Sequence, residues 1–365
     1  MSNSFCSLGL MSGTSGDGVD ASIIQSDGDT KLKVILDRYF EYNKEIYENI
    51  HNLRDKINNS SDLNNYSKEV KILEREITLF HANVADKVIK ESKSNINFIG
   101  FHGQTIFHNA DEKISKQLGD GELLSKNTKK TIIYNFRQND LINGGQGAPL
   151  TPIFHKLIKN KYKIKVPLIF LNIGGIANIT SIDKNDQMLS RDIGPGNCLI
   201  DKWIRQNSEM KYDLDGKIAT SGKINKIILN NLLKNFKVIK EPKSYDIKDF
   251  NLSLVSNLSL EDGAATLTEY TSEILYQNLR VFFENSKKNF IISGGGRKNK
   301  FLIKKIEKKI NCSLSVIDDL GIDGDFTESQ AFAYLAIRSY LKLPISFPET
   351  TGAKKSCIGG VIVNY

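Results

Sequence analysis

Met11-Ser12-Gly13-Thr14-Ser15-Gly16-Asp17-Gly18-Val19-Asp20 is set between two apolar runs, Phe5 to Leu10 and Val19 to Ile24, which predicts a strand, a turn and a second strand. A turn this rich in Gly, Ser and Thr gathers several backbone N–H groups at one point, a concavity suited to phosphate oxygens. The hydroxyls can bond phosphate, whereas Asp17 and Asp20 would repel it unless a hydrated cation such as Mg²⁺ lay between. Taken alone, the same residues also suit a plain hairpin turn. The spacing matches neither the GxxxxGK[ST] loop nor a GxGxxG helix start, so a different phosphate-binding architecture is required.

Two further turns supply it. Leu168 to Ile179 repeats the pattern of apolar run, tight turn and apolar run around Gly174 and Gly175, and Phe290 to Ile292 leads into Ser293-Gly294-Gly295-Gly296 and then a helical pattern. Two strand-turn-strand units in one chain imply a duplicated domain, each half offering one loop to a shared nucleotide. This arrangement resembles the actin, sugar kinase and Hsp70 superfamily. The expected fold is therefore α/β, a duplicated ribonuclease H-like architecture of two domains with an interdomain cleft.

A chain of 365 residues with 40% hydrophobic content fits two globular domains of ordinary size. No run approaches the ~18 apolar residues of a membrane span, and Met1 to Cys6 has neither the basic start nor the apolar stretch of a signal peptide; a cytoplasmic protein is expected. Cys6, Cys198, Cys312 and Cys357 lack CxxC spacing, which points away from zinc and disulfides and toward reduced core thiols. The net charge of +8 comes from basic residues scattered over Lys156 to Lys165, Lys234 to Lys243 and Lys298 to Lys309. Without interleaved aromatics they read as solvated faces that attract anionic small molecules, and no nucleic acid partner is expected.

Apolar residues at Val70, Leu73, Ile77, Phe80, Val84 and Val88 predict a helix over Tyr66 to Glu91, after another at Ile46 to Ile57. Ile96 to Phe101 reads as a short strand ending in His102-Gly103-Gln104-Thr105, and Thr131 to Phe136 as one ending in Arg137, Asp140 and a Gly144 to Pro149 turn. Polar groups at the carboxyl ends of such strands are where open α/β sheets place ligands. Asp192 to Asn197 leads into a helix holding the single Trp, Trp203, and Asp262 to Phe283 predicts a long helix. Asp325 with Glu328 three residues on has capping-box spacing. One lobe is expected to comprise residues 1–130 and 345–365, the other 131–344.

With these motifs assembled, the chain resembles the anhydro-N-acetylmuramic acid kinase family from Gly9 to Val363. GLMSGTSGDGVDASI, GFHGQTIFH, the Gly119-Asp120-Gly121 segment, NFRQNDLINGGQGAPLTPIFH, LNIGGIANIT, DIGPGNCLIDKW, YDLDGKIATSG, Pro242-Lys243-Ser244, SGGGRKN and TGAKKSCIGG carry the resemblance in order. Departures are few: Gly16 stands where the family usually has a larger residue, and Ile193 replaces a common Thr. The resemblance implies that ATP and water convert 1,6-anhydro-N-acetylmuramic acid into N-acetylmuramic acid 6-phosphate, a step in cell-wall recycling, and it implies a homodimer.

By the same resemblance Asp192 is the base that activates water. Gly13, Thr14, Ser15, Gly16, Asp17, Gly18, Val19 and Asp20 hold the β and γ phosphates of ATP, with Asp17 and Asp20 reaching Mg²⁺ through water. Asn172, Gly174 and Gly175 touch phosphates, and Gly294, Gly295, Gly296 and Asn299 border the nucleoside. Gln104, Thr105, Arg137, Asp140 and Glu328 are the expected sugar contacts, with Arg137 suited to fork onto a lactyl carboxylate. His102 reads first as a hydrogen-bonded structural residue. Asp213-x-Asp215-Gly216 lacks the later Glu of a calcium loop. Two other readings share the fold: an actin-like or Hsp70-like ATPase that gates a partner, and a kinase for another amino sugar.

Overall fold

Phe5–Ser12 (β1) and Gly18–Ser26 (β2) form the antiparallel pair that the opening stretch predicts, in register from Phe5 opposite Ser26 to Met11 opposite Asp20. They belong to a computed structural model that describes residues 4–236, 245, 249–250, 252–282 and 289–365. The Pro242-Lys243-Ser244 triplet, the carboxyl end Phe283 of the expected long helix and the far end of the Lys234 to Lys243 stretch lie outside the described residues. The chain divides into a first unit, Met1–Lys163 with Phe326–Tyr365, and a second, Ile164–Asp325.

In the first unit Leu32–Glu41 (β3) pairs antiparallel with β2, while Phe98–Asn109 (β4) runs parallel to β1. Ile114–Leu118 (β5) folds back on β4, and Thr131–Tyr134 (β6) runs parallel to β4. In the second unit the strands are Leu168–Ile173 (β7), Ile176–Ile182 (β8), Met188–Pro195 (β9), Asn289–Ser293 (β10) and Ser315–Val316 (β11). Their order, β11-β10-β7-β8-β9, repeats β6-β4-β1-β2-β3 strand for strand, with the same parallel and antiparallel neighbours. The duplication inferred from two Gly-rich turns is thus present in the topology. Val361–Val363 (β12) adds an antiparallel edge to β6.

Helix Ser67–Ser92 buries Val70, Leu73, Ile77, Val84 and Val88 of the stripe that its periodicity predicts in the core of the first unit, with Phe80 of that stripe partly buried against it. Each such side chain contributes about 1.5–3 kcal/mol. Helix Thr327–Tyr340 packs on β1, β2 and β4, and two glycines let it come close. A Cβ on Gly9 would lie 1.9 Å from the Ser329 carbonyl oxygen, and one on Gly100 would lie 2.3 Å from that of Phe332. In the second unit helix Leu260–Arg280 packs against β9 and against helix Lys300–Ile310.

Three expectations are corrected. The cuts near 130 and 345 fall inside the first unit, because β6 hydrogen-bonds to β4 and helix Thr327–Tyr340 covers the same sheet. β4 does not stop at Phe101: it runs to Asn109, so His102 to Thr105 lie within a strand that β5 pairs from one side. The N-cap of helix Thr327–Tyr340 is Phe326, without a side-chain cap. The Asp325 carboxylate is instead held by Arg297 Nη1 at 2.6 Å and by Lys298.

Candidate active site

The five residues between β1 and β2 form a loop held from beneath by side chains. Gly16 N–H donates to Gly13 O (3.1 Å), and Gly16 takes φ +66° with Ile50 only 3.1 Å from where a Cβ would stand, so a larger residue would be strained here. Gln104, fully buried on β4, donates through Nε2 to Gly13 O (3.0 Å) and accepts from the Ser12 hydroxyl (2.6 Å). Arg54 donates to Thr14 O (2.5 Å), and His51 Nε2 lies 3.0 Å from Ser15 O. With its carbonyls anchored below, the loop leaves Thr14 and Ser15 exposed.

The Ser15 hydroxyl donates to Asp17 Oδ1 (2.6 Å). Tyr39, across β2 and β3 from Asp20, has its hydroxyl pKa pushed up by partial burial and by the carboxylates of Asp17, Glu41 and Asp20. Val19 points into the core. Asp17 and Asp20 with nearby hydroxyls form a hard-oxygen set that suits Mg²⁺ bound mainly through water.

The HGQT strand and the FRQND segment meet, and their side chains also hold the protein together. Arg137 donates from Nε (3.2 Å) and Nη2 (2.9 Å) to His102 Nε2 and from Nη1 to Gly147 O (2.9 Å). Asp140, 1% exposed, accepts from Gly147 N–H (2.7 Å), the Ser346 hydroxyl (2.6 Å) and the Thr351 hydroxyl (2.6 Å). It therefore fastens the Gly144–Gly147 turn to the C-terminal segment, and that turn in turn receives Arg137. Thr105 accepts from Gln117 (3.1 Å). A cavity of about 150 Å³ opens beside these groups, lined by Phe101, His102, Gln117, Tyr134, Asn135 and Gln138. Glu328 sits half-buried in the first turn of its helix.

In the second unit main-chain N–H groups hold the carbonyls of the turn. Gly174 O accepts from Asn197 N–H (2.8 Å), and Gly175 O from Gly196 N–H (2.9 Å) and Cys198 N–H (3.2 Å). A Cβ on Gly196 would stand 2.1 Å from Gly174 O, so the GG and GPG turns require one another. Gly294, at φ +76°, would place a Cβ 2.5 Å from Asn172 Oδ1, and Gly296 one 2.2 Å from Ile173. Gly295 has only Asn197 at 3.9 Å. Asn299 caps helix Lys300–Ile310 through Leu302 N–H (3.0 Å), a structural duty the sequence reading did not assign.

Register aligns the chemistry of this unit. Ser293 stands beside Asn172, Asn172 opposite Asn178, and Asn178 opposite Asp192. Cross-strand partners share a face, so a polar row crosses β10, β7, β8 and β9. Asn178 is the member that sequence reasoning missed; its signal was the second Asn in LNIGGIANIT, six residues after the first. Asp192 accepts from the Tyr245 backbone N–H (2.9 Å). Tyr245 has its own hydroxyl pKa pushed up to about 12 by burial and by Asp192 and Asp249. Arg297, next to the Gly run, donates to Asp318 (2.7 and 2.9 Å) and to Asp325.

Comparison with known proteins identifies the family. Residues 6–365 match the family model for anhydro-N-acetylmuramic acid kinase. The relative of that name from Pelagibacter ubique (strain HTCC1062) is 55% identical, covering all of this chain and all of its own. Another from Zymomonas mobilis subsp. mobilis is 37% identical, covering 97% of this chain and 98% of its own. One from Rhodospirillum rubrum is also 37% identical, covering 97% and 92%. The chain belongs to the anhydro-N-acetylmuramic acid kinase family.

Proposed function

We propose that this member of the family opens 1,6-anhydro-N-acetylmuramic acid with water and phosphorylates O6 with ATP, giving N-acetylmuramic acid 6-phosphate and ADP. The observation that carries the reading is Asp192, set on β9 in the same transverse row as Asn172, between two interlocked glycine turns. A carboxylate there takes the proton of a water that attacks the anomeric carbon. The bond from that carbon to the bridging oxygen breaks, and the freed O6 takes the γ-phosphoryl group as ADP leaves. Because the phosphoryl group traps the leaving oxygen, one base is enough.

Phosphoryl transfer rests on positioning and charge neutralisation. Gly13 to Asp20 hold the phosphates, and Asp17 and Asp20 would hold hydrated Mg²⁺, which supplies charge neutralisation when bound. Asn172, Gly174 and Gly175 serve the phosphates too, and Gly294 to Gly296 with Asn299 border the nucleoside. Thr105, Arg137 and Glu328 contact the sugar, with Arg137 on its carboxylate. Gln104 and Asp140 support this set through the first loop and the Gly144–Gly147 turn. No helix among the described residues is long and apolar enough to cross a membrane. The cytoplasm, where ATP is made available, is the expected compartment, and a homodimer the expected assembly.

The test is the destination of solvent oxygen. Turnover in ¹⁸O-water should label carbon 1 of the product sugar and leave the phosphate ester unlabelled, once anomeric exchange is corrected by a control. Label in inorganic phosphate, with no sugar phosphate formed, would establish an actin-like or Hsp70-like ATPase instead.

A further inference from the structure

We infer that His102 is a positioning residue that sets the plane of the Arg137 guanidinium for a carboxylate-bearing sugar. This rests on the reading that Arg137 takes that carboxylate. A guanidinium only donates, so His102 Nε2, which lies 2.9 and 3.2 Å from Arg137 Nη2 and Nε, must be the bare, accepting nitrogen. A carbonyl only accepts, so Nδ1, 2.9 Å from Gly103 O, must carry the proton. The two contacts together fix both the tautomer and the ring orientation.

The ring itself cannot turn away. His102 is 5% exposed and packs on Phe332 at 4.5 Å between ring centres. Arg137 from the segment after β6 and His81 from helix Ser67–Ser92 act on it, Lys116 of β5 and Tyr134 of β6 line the cavity that it faces, and Phe332 of helix Thr327–Tyr340 packs on it with an apolar ring. Burial first, and then the Arg137 charge, hold its pKa well below the ordinary imidazole value. The geometry asks for the same neutral ring, with Nε2 accepting and Nδ1 donating. Gly147 O takes Nη1 at 2.9 Å, so two acceptors from different segments hold the guanidinium at its two edges. A planar fork recognises a carboxylate only when its plane is set in advance, since its advantage over Lys is geometric.

The experiment compares His102→Leu, His102→Gln and Arg137→Ala in the full-length protein. His102→Leu should raise the KM for the anhydro sugar about 10-fold, the effect of a loosened charge-assisted contact, with kcat and the ATP KM changed less than about 2-fold. His102→Gln, whose amide oxygen can accept where Nε2 did, should recover most of the loss. A normally melting His102→Leu with unchanged sugar KM, or equal losses in kcat and ATP KM, would overturn the inference. If His102→Leu does not fold, ¹⁵N-histidine NMR of the wild-type protein decides: a proton on Nδ1 and a bare Nε2 at pH 7 support it, and the opposite tautomer or an imidazolium overturns it. An Arg137→Ala enzyme with unchanged sugar KM would remove the carboxylate reading itself, a result separable from the His102 outcomes.

Discussion

The loop after β1 and the turn after β7 occupy the same place in two copies of one topology, yet they are held by opposite means. In the first unit side chains from distant segments, Gln104, Arg54 and His51, hold the loop carbonyls. In the second, backbone N–H groups of Gly196, Asn197 and Cys198 do so, and the site tolerates only glycine where the chains touch. A loop fastened by side chains can be long and can present Thr14, Ser15 and Asp17. A turn fastened by main chain is short and rigid, and its chemistry must come from neighbouring strands. That is where Asn172, Asn178 and Asp192 stand.

The units also differ in their response to acid. All five histidines lie in the first unit. His81 and His108 have pKa values lowered to about 4 and His155 to about 3, chiefly by burial. Their folded values lie below the unfolded value near 6.5, so the unfolded chain binds more protons in that window. Stability present above pH 6.5 is therefore lost as pH falls toward 4. The loss at pH 5 is on the order of 2 kcal/mol for each imidazole. Hydrogen exchange with mass spectrometry at pH 7 and pH 5 should show the first unit losing protection ahead of the second. Equal losses in both would break the comparison.

Next in size, Asp192→Asn should lower kcat by about 10²–10⁴-fold, the usual share of a positioned general base, with ATP KM and melting temperature nearly unchanged. Wild-type turnover in that variant would leave the second unit without a chemical role. Gly196→Ala forces a Cβ to 2.1 Å from Gly174 O and should cost roughly 1–3 kcal/mol of stability, read by denaturant titration. Gly13→Ala meets nothing nearer than 3.9 Å. It should leave stability within about 0.5 kcal/mol while raising the ATP KM, because on the proposed reading the added methyl would stand among the phosphates. If both glycine variants behave alike, the two loops are not held differently.

Gln104→Ala separates a sugar contact from a loop support. Removing the amide strips Gly13 O and the Ser12 hydroxyl of a buried partner, so the ATP KM should rise several-fold and the sugar KM stay within about 2-fold. A variant with the reverse pattern would restore Gln104 to the sugar pocket.

The chain itself determined the duplicated α/β fold and its glycine turns, and it offered Asp192 as the proposed base, because each is written in a short stretch: apolar runs around glycine turns, and a carboxylate just ahead of Gly-Pro-Gly. Tertiary structure decided which polar side chains find partners within the protein. Gln104 and Asp140 read as sugar contacts from their place near strand ends, but Gln104 finds its partner 91 positions away and Asp140 finds two, 206 and 211 positions away. The same holds for Asp325, which has capping spacing but is drawn off by Arg297, and for Asn178, placed beside Asp192 only by the register of β8 on β9. Backbone conformation is a local property of the sequence. A hydrogen-bond partner is fixed only when the sheet brings distant segments together.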